Sequence, residues 1–340
     1  MNDASKRYFD QVDWLGDVPT ERPDEEEPNP FHTEPPLQSA DAWLVDAADL
    51  LAEPDPGPVT WLVEGLIVDQ ALTAAVGRWK TTKSYAMLEL AVSVVTGQPA
   101  FGELAIPEPG PVVFVIEESG RAALWRRLDA LSRGRAIVRE ELRGLLLAPN
   151  ERVKLDDADW QSRLIQAGQR IKPRLFVFDP LARMKAASRD ENEQKSIATV
   201  IEFLRDLRDA TGAGIAFVHH TGHSGEHMRG SSDLESVWES RLAWKKADDG
   251  LVELASEHRE AEAGPTLHYR IAWEPETRSV RLPLVDPDAA LVESVRRHLA
   301  AEPDASANEV HRALGGNRQD VLRVVRHVKA GSGTTGNHCD

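Results

Sequence analysis

GRWKTTKS, Gly77 to Ser84, departs at one position from the phosphate-binding pattern G-x-x-x-x-G-K-[ST]: Thr82 stands where the second glycine belongs. Such a loop carries meaning only between a strand and a helix. Here ALTAAV, residues 71–76, precedes it as a short apolar run, and SYAMLELAVSVVTG, residues 84–97, follows with the composition of a buried helix. In that setting backbone amides and the positive helix end hold phosphate oxygens, Lys83 reaches the outer oxygens, and the Ser84 hydroxyl ligates Mg²⁺. Gly77, Lys80, Thr81, Thr82, Lys83 and Ser84 are therefore expected to bind a nucleotide, with Lys80 adding a second cation. Thr82 is the discordant residue, because the second glycine supplies a positive φ that a β-branched residue seldom adopts.

Outward from the loop, short continuous apolar runs alternate with helical segments. The runs PVVFVIEES (111–119), LRGLLLAP (142–149), RLFVFDP (174–180) and AGIAFVHH (213–220) read as strands covered on both faces. Between them RAALWRRLDALSR (121–133), a stretch near 158–171 and 194–209 read as helices; Ile197, Val200, Ile201, Leu204 and Leu207 share one face of the last. This succession predicts an α/β fold with a mainly parallel, doubly wound sheet. From 235 to 286 alternating runs separated by turns predict further, partly antiparallel strands that extend the sheet.

Two strand ends carry acids. Asp179 is placed to hold Mg²⁺ through water, and Glu117 or Glu118 to orient an attacking water as general base. The strand ending in VHH is followed by a Gly/Ser-rich loop with His223 and His227. The spacing of His220, His223 and His227 lacks partner cysteines, so a phosphate-sensing role for His220 fits better than a zinc site.

The chain has 340 residues, 41% apolar and 28% charged, and a formal net charge of −16. Its one cysteine, Cys339, permits no internal disulfide, and no run approaches the roughly 20 apolar residues of a membrane span. A cytoplasmic location with no membrane partner is expected. Residues 1–60 hold 15 Asp or Glu against 3 Lys or Arg, whereas residues 289–330 hold 5 against 7. The acidity is therefore concentrated in the N-terminal segment and does not exclude a nucleic-acid surface elsewhere. Residues 1–40, rich in proline and acid, read as a disordered arm, residues 41–286 as the α/β domain, and residues 331–340 as a flexible tail. Between domain and tail, residues 289–330 give helices separated by a glycine turn. Arg318, Arg323, Arg326 and Lys329 lie on the last of them, the pattern of a helix-turn-helix or winged helix that contacts DNA.

Taken together, VTWLVEGLI, GRWKTTKS, VVFVIEES with RAALWRRLDAL, LFVFDPLAR, VHHTGHSG and RGSSDLE resemble the RecA-like ATPase core of the plasmid and phage RepA-type family, relatives of the DnaB replicative helicases. The likeness runs from about residue 46 to 274. It implies ATP and Mg²⁺ as cofactors, a hexameric ring, single-stranded DNA as partner, and other replication proteins as further partners. It implies Lys83 and Ser84 on phosphate and Mg²⁺, Glu117 as catalytic glutamate, Asp179 as Walker B acid, His220 as sensor and Arg259 as a finger acting on the neighbouring subunit. Loops after the Walker B and sensor strands would face the DNA channel, offering Arg183, Lys185, Arg189 and Arg229. Glu257 stands where relatives often have lysine. Two other readings remain: a nucleotide-switched DNA-binding regulator or helicase loader with little turnover, and a metal enzyme using the histidines.

Overall fold

The computed structural model describes residues 44–185, 193–221, 237–247, 250–315 and 317–332. Its N-terminal described segment holds one short helix, α1 (Ala47–Ala52), started by the Asp46 carboxylate, which accepts the Ala48 amide at 2.7 Å; none of its residues is buried. Contacts divide this segment, up to Gly57, from the unit that begins at Pro58.

The second unit opens with a small antiparallel pair, β1 (Trp61–Val63) and β2 (Ile67–Val68). Its centre is an eight-stranded sheet made of β3 (Leu72–Gly77), β4 (Val112–Ile116), β5 (Leu145–Pro149), β6 (Leu175–Asp179), β7 (Gly214–His220), β8 (Ser240–Lys246), β9 (Val252–His258) and β10 (Leu267–Tyr269). The spatial order is β10-β9-β8-β3-β7-β6-β4-β5; the strands from β8 through β5 are parallel, and β9 and β10 are added antiparallel at one side.

Helices cover both faces. They are α2 (Lys83–Thr96), α3 (Arg121–Gly134), α4 (Ala158–Ile171) and α5 (Glu193–Thr211). Side chains alternate across the strands, so Phe114, Ile116, Leu175 and Val177 pack with α2 and α3, while Val113, Val115, Phe176 and Phe178 pack with α4 and α5. Each face thus has its own apolar core, which is why these strands are unbroken apolar runs. Among the added strands, β9 alternates buried and half-buried residues instead.

The consequence for function is positional. After β3 the chain crosses over β7 and β6 to form β4, and after β7 it crosses back past β3 to form β8. The loop after β3 therefore lies where connections diverge to opposite sides, the crevice in which open α/β sheets bind ligands.

One expectation is corrected. The runs IAWE and RSVR do not extend the main sheet but form a separate pair, β11 (Ala272–Glu274) and β12 (Ser279–Arg281), against α3. Three further helices follow: α6 (Ala289–Ala301), α7 (Ala307–Leu314) and α8 (Arg318–Ser332). They share a core of Val295, Val310, Val321, Val324, Val325 and Val328, and a reciprocal Ser306/Glu309 capping box starts α7.

Candidate functional site

The loop between β3 and α2 is built by close approach and left-handed turns. A Cβ added at Gly77 would lie 2.6 Å from the Trp244 carbonyl oxygen of β8, so only glycine fits there. Lys80 and Thr82 both have positive φ, 62° and 69°. For Thr82 that geometry costs about 1–2 kcal/mol, which glycine would not incur. The helix nevertheless starts directly behind it, the Tyr85 and Ala86 amides both donating to the Thr82 carbonyl at 3.0 Å. The Thr82 hydroxyl lies 3.1 Å from the Tyr269 hydroxyl, to which Trp244 Nε1 also donates at 3.0 Å.

Lys83 is buried and folds back onto its own loop. Its ammonium donates to the Gly77 carbonyl at 2.7 Å, the Arg78 carbonyl at 2.8 Å and Thr81 Oγ1 at 3.2 Å. Burial lowers its pKa to about 8, opposed by the negative charges of Asp179 and Glu118. The lysine thus holds the loop closed around a centre where an anion would find a cation and free backbone amides.

Asp179 ends β6 and is buried. Its pKa is pushed up to about 6 by that burial; a hydrogen bond from Ser84 opposes the shift and the charge of Glu118 adds to it. Asp179 Oδ1 is buried with no hydrogen-bond partner. A buried, unsatisfied carboxylate oxygen next to the Ser84 hydroxyl fits a Mg²⁺ ion, a hard cation that takes oxygen ligands and keeps several waters.

The two glutamates after β4 diverge. Glu117, the residue the resemblance implies, is tied down: its Oε1 accepts the Val153 amide at 2.9 Å. Glu118 is the one that faces the centre, 3.8 Å from His220 Nε2 and close enough for its charge to act on Lys83 and Asp179. His220 ends β7 level with Gly77, and its ring centroid is 5.7 Å from that of the exposed Trp79. Its pKa is lowered first by burial and then by Lys83, which favours the neutral ring.

Arg259 is exposed just past β9. The register Thr73↔Ser240 and Ser240↔His258 places it level with the start of β3, about 17 Å along the strands from the loop of its own chain. It does not join the same chain's site. Glu257, two residues earlier, pairs across the strands with Arg241 at 2.9 Å.

The remaining expected residues are scattered. Lys80 is exposed at the loop tip, Arg183 is exposed, and Lys185 is half-buried, its carbonyl accepting Lys154 Nζ at 3.0 Å. Arg189, Arg229, His223 and His227 lie outside the described residues, as do the arm and the tail. On α8, Arg323 makes a bidentate ion pair with Asp288 and a further contact with Asp320, and Arg318 donates to Asn308 at 3.0 Å. Arg326 is exposed.

Sequence reading missed Arg127, Tyr269 and Trp244. Arg127 donates to Ser119 at 3.1 Å, lies over the Tyr85 ring at 5.8 Å, and its charge reaches Asp179. A signal existed: it occupies the stripe of Leu124, Leu128 and Leu131 on α3, where an apolar residue belongs. Tyr269 and Trp244 gave no local signal, being core residues of distant strands.

With this geometry in view, comparisons with known proteins point one way. The AAA_25 family, described as an AAA domain, matches residues 33–226, more than half of the chain. Among solved structures the fold is similar to that of a helicase ATPase domain, with TM-score 0.50 at 12% identity, covering 69% of this chain and 95% of that one. No curated protein matches the sequence.

Proposed function

The chain belongs to the AAA_25 family of AAA domains, and from that premise we propose that it is an ATP-hydrolysing RecA-fold motor acting on DNA in replication, a RepA- or DnaB-like helicase working as a homo-oligomeric ring. The observation that carries the reading is the convergence of Lys83, Ser84, Asp179, Glu118 and His220 at the ends of adjacent strands around one phosphate-binding loop.

In this reading Gly77, Lys80, Thr81 and Thr82 supply the cradle, and Lys83 turns from the loop carbonyls to phosphate oxygens. Ser84 and Asp179 hold Mg²⁺, which neutralises the charge that builds on the transferred phosphoryl group. Glu118 takes the proton of the attacking water, a role that Glu117, bound to the Val153 amide, is badly turned to perform. His220 contacts Glu118 and the loop, so it senses the terminal phosphate. Arg259, remote from its own loop, acts in trans by stabilising the transition state in a neighbouring subunit. Single-stranded DNA is the proposed substrate track, met by Lys185, Arg189 and Arg229 in the channel loops and by Arg318, Arg323 and Arg326 at the C-terminus.

A second reading keeps the nucleotide and drops most of the turnover: a DNA-binding regulator or loader that uses ATP as a switch. Its support is Lys83, whose ammonium is already satisfied by three oxygens of its own loop. Steady-state ATP hydrolysis with and without single-stranded DNA, in the parent chain and in Lys83→Ala, separates the two. The motor predicts turnover that rises with DNA and falls by at least ~100-fold in the variant. Binding without turnover in either condition favours the switch, and absence of ATP binding removes both.

A further inference from the structure

We propose that Tyr269 and Trp244 are positioning residues that hold the phosphate loop in the left-handed turn at Thr82, replacing by a hydrogen-bonded clamp what glycine provides by freedom from steric strain. The part concerning ATP affinity rests on the function proposed above; the part concerning loop conformation does not.

The geometry gives the clamp a direction. Trp244 Nε1 is only a donor, so its proton goes to a lone pair of the Tyr269 oxygen at 3.0 Å. That leaves the Tyr269 proton to be donated to Thr82 Oγ1 at 3.1 Å. Burial drives the Tyr269 pKa up to about 12, so the proton stays in place across the whole working range of pH. Both rings are fully buried, and the Phe101 ring packs on Tyr269 with centroids 5.1 Å apart, so neither donor can swing away. A hydrogen bond from an immobile partner restricts Thr82 far more than one from a mobile surface group.

Trp244 also meets the other end of the loop. Its backbone is the strand partner of Gly77, and its carbonyl fills the space that a Cβ at Gly77 would need. One residue of β8 therefore fixes where the loop begins, through its backbone, and where it ends, through its indole and Tyr269. A threonine at this position has what the family pattern's glycine lacks, a hydroxyl that such a clamp can grip. The bland alternative is that Thr82 merely satisfies a buried tyrosine, with no effect on the loop.

The two differ in a double-mutant cycle read by amide hydrogen exchange of residues 78–84 without nucleotide, and by affinity for a fluorescent ATP analogue. In the parent chain Tyr269→Phe should speed exchange in the loop and weaken the analogue by about three- to tenfold, the size of one buried hydrogen bond. In the Thr82→Gly background the same substitution should change neither, because glycine holds the turn unaided. Leaving Trp244 Nε1 without an acceptor destabilises both backgrounds equally and cancels in the comparison. The pair Tyr269→Phe with Trp244→Phe removes that orphan and should reproduce the loop effect. Equal effects in both backgrounds, or unchanged exchange in the loop, would overturn the clamp. Failure of the parent chain to bind the analogue would instead remove the ATPase reading, while the exchange cycle still decides the clamp.

Discussion

Asp179 and Lys83 stand on opposite sides of neutrality from their ordinary states, and their ligands must correct both. Holding Mg²⁺ requires the Asp179 carboxylate, but burial raises its pKa to about 6, so near that pH metal binding expels roughly half a proton. Holding phosphate requires the Lys83 ammonium, but burial lowers its pKa to about 8, so near that pH anion binding takes up roughly half a proton. The net proton change on binding Mg-ATP should therefore reverse sign between about pH 6 and about pH 8. Calorimetry in two buffers of different ionisation heat measures it directly. Asp179→Asn should abolish the release at the acidic end and keep the uptake at the other. If neither pH shows a net change, the two groups do not meet the ligand. The glutamates give a second prediction at this scale. Glu118→Gln should lower kcat by about 10²–10⁴-fold with little change in ATP affinity, as expected for loss of a general base. Glu117→Gln should act mainly on stability through the Val153 amide; the opposite ranking would return the catalytic role to Glu117.

Elements differ in how much of their placement a local pattern can encode. Consider Gly134, the last residue of α3: a Cβ there would lie 1.9 Å from the Val280 carbonyl oxygen of β12. Backbone cannot yield as a flexible side chain does, so Gly134→Ala should push the β11–β12 pair off the helix. The cost should be about 1–3 kcal/mol, seen as a lower midpoint in thermal or urea unfolding. An unchanged midpoint would mean that this pair is not anchored on α3. The same contact explains a failed expectation. Alternation in IAWE and RSVR signals strands, but nothing in the alternation says which sheet they join; α3 decides that by offering a glycine at its end. By contrast β3, β4, β6 and β7 were legible because burial on both faces demands unbroken apolar runs. Their acidic and basic ends, Asp179, Lys83 and His220, were legible with them. Glu118 over Glu117 was not, because a one-residue choice of facing at a strand end depends on the Val153 backbone more than thirty residues away. Tyr269 was hidden for the same reason, since its target Thr82 lies three strands across the sheet.

At the scale of the whole molecule, charge and topology pull against each other. The sheet sets its phosphate loop and the strand ends around it along one edge, and the proposed DNA contacts supply cations, yet the chain carries a net charge of −16. Residues 1–43 alone hold 11 Asp or Glu against 3 Lys or Arg. Part of the cationic reserve is also neutralised locally, as Arg323 is by Asp288 and Asp320. A nucleic-acid backbone approaching such a molecule meets a repulsive field that acts over about a Debye length and is screened by salt. Removing residues 1–43 should therefore strengthen binding to single-stranded DNA at low ionic strength, and the advantage over the full chain should shrink as salt rises. Titrating a labelled oligonucleotide against both chains across a salt series reads both slopes. A gain that persists at about 1 M salt, where the Debye length is only about 3 Å, would mean that the segment obstructs DNA by occupying its path rather than by its charge. A loss of affinity on removal would mean that the segment takes part in binding. Only the screened gain fits a chain whose motor core is built to meet DNA and whose acidic N-terminal segment sets how readily it does so.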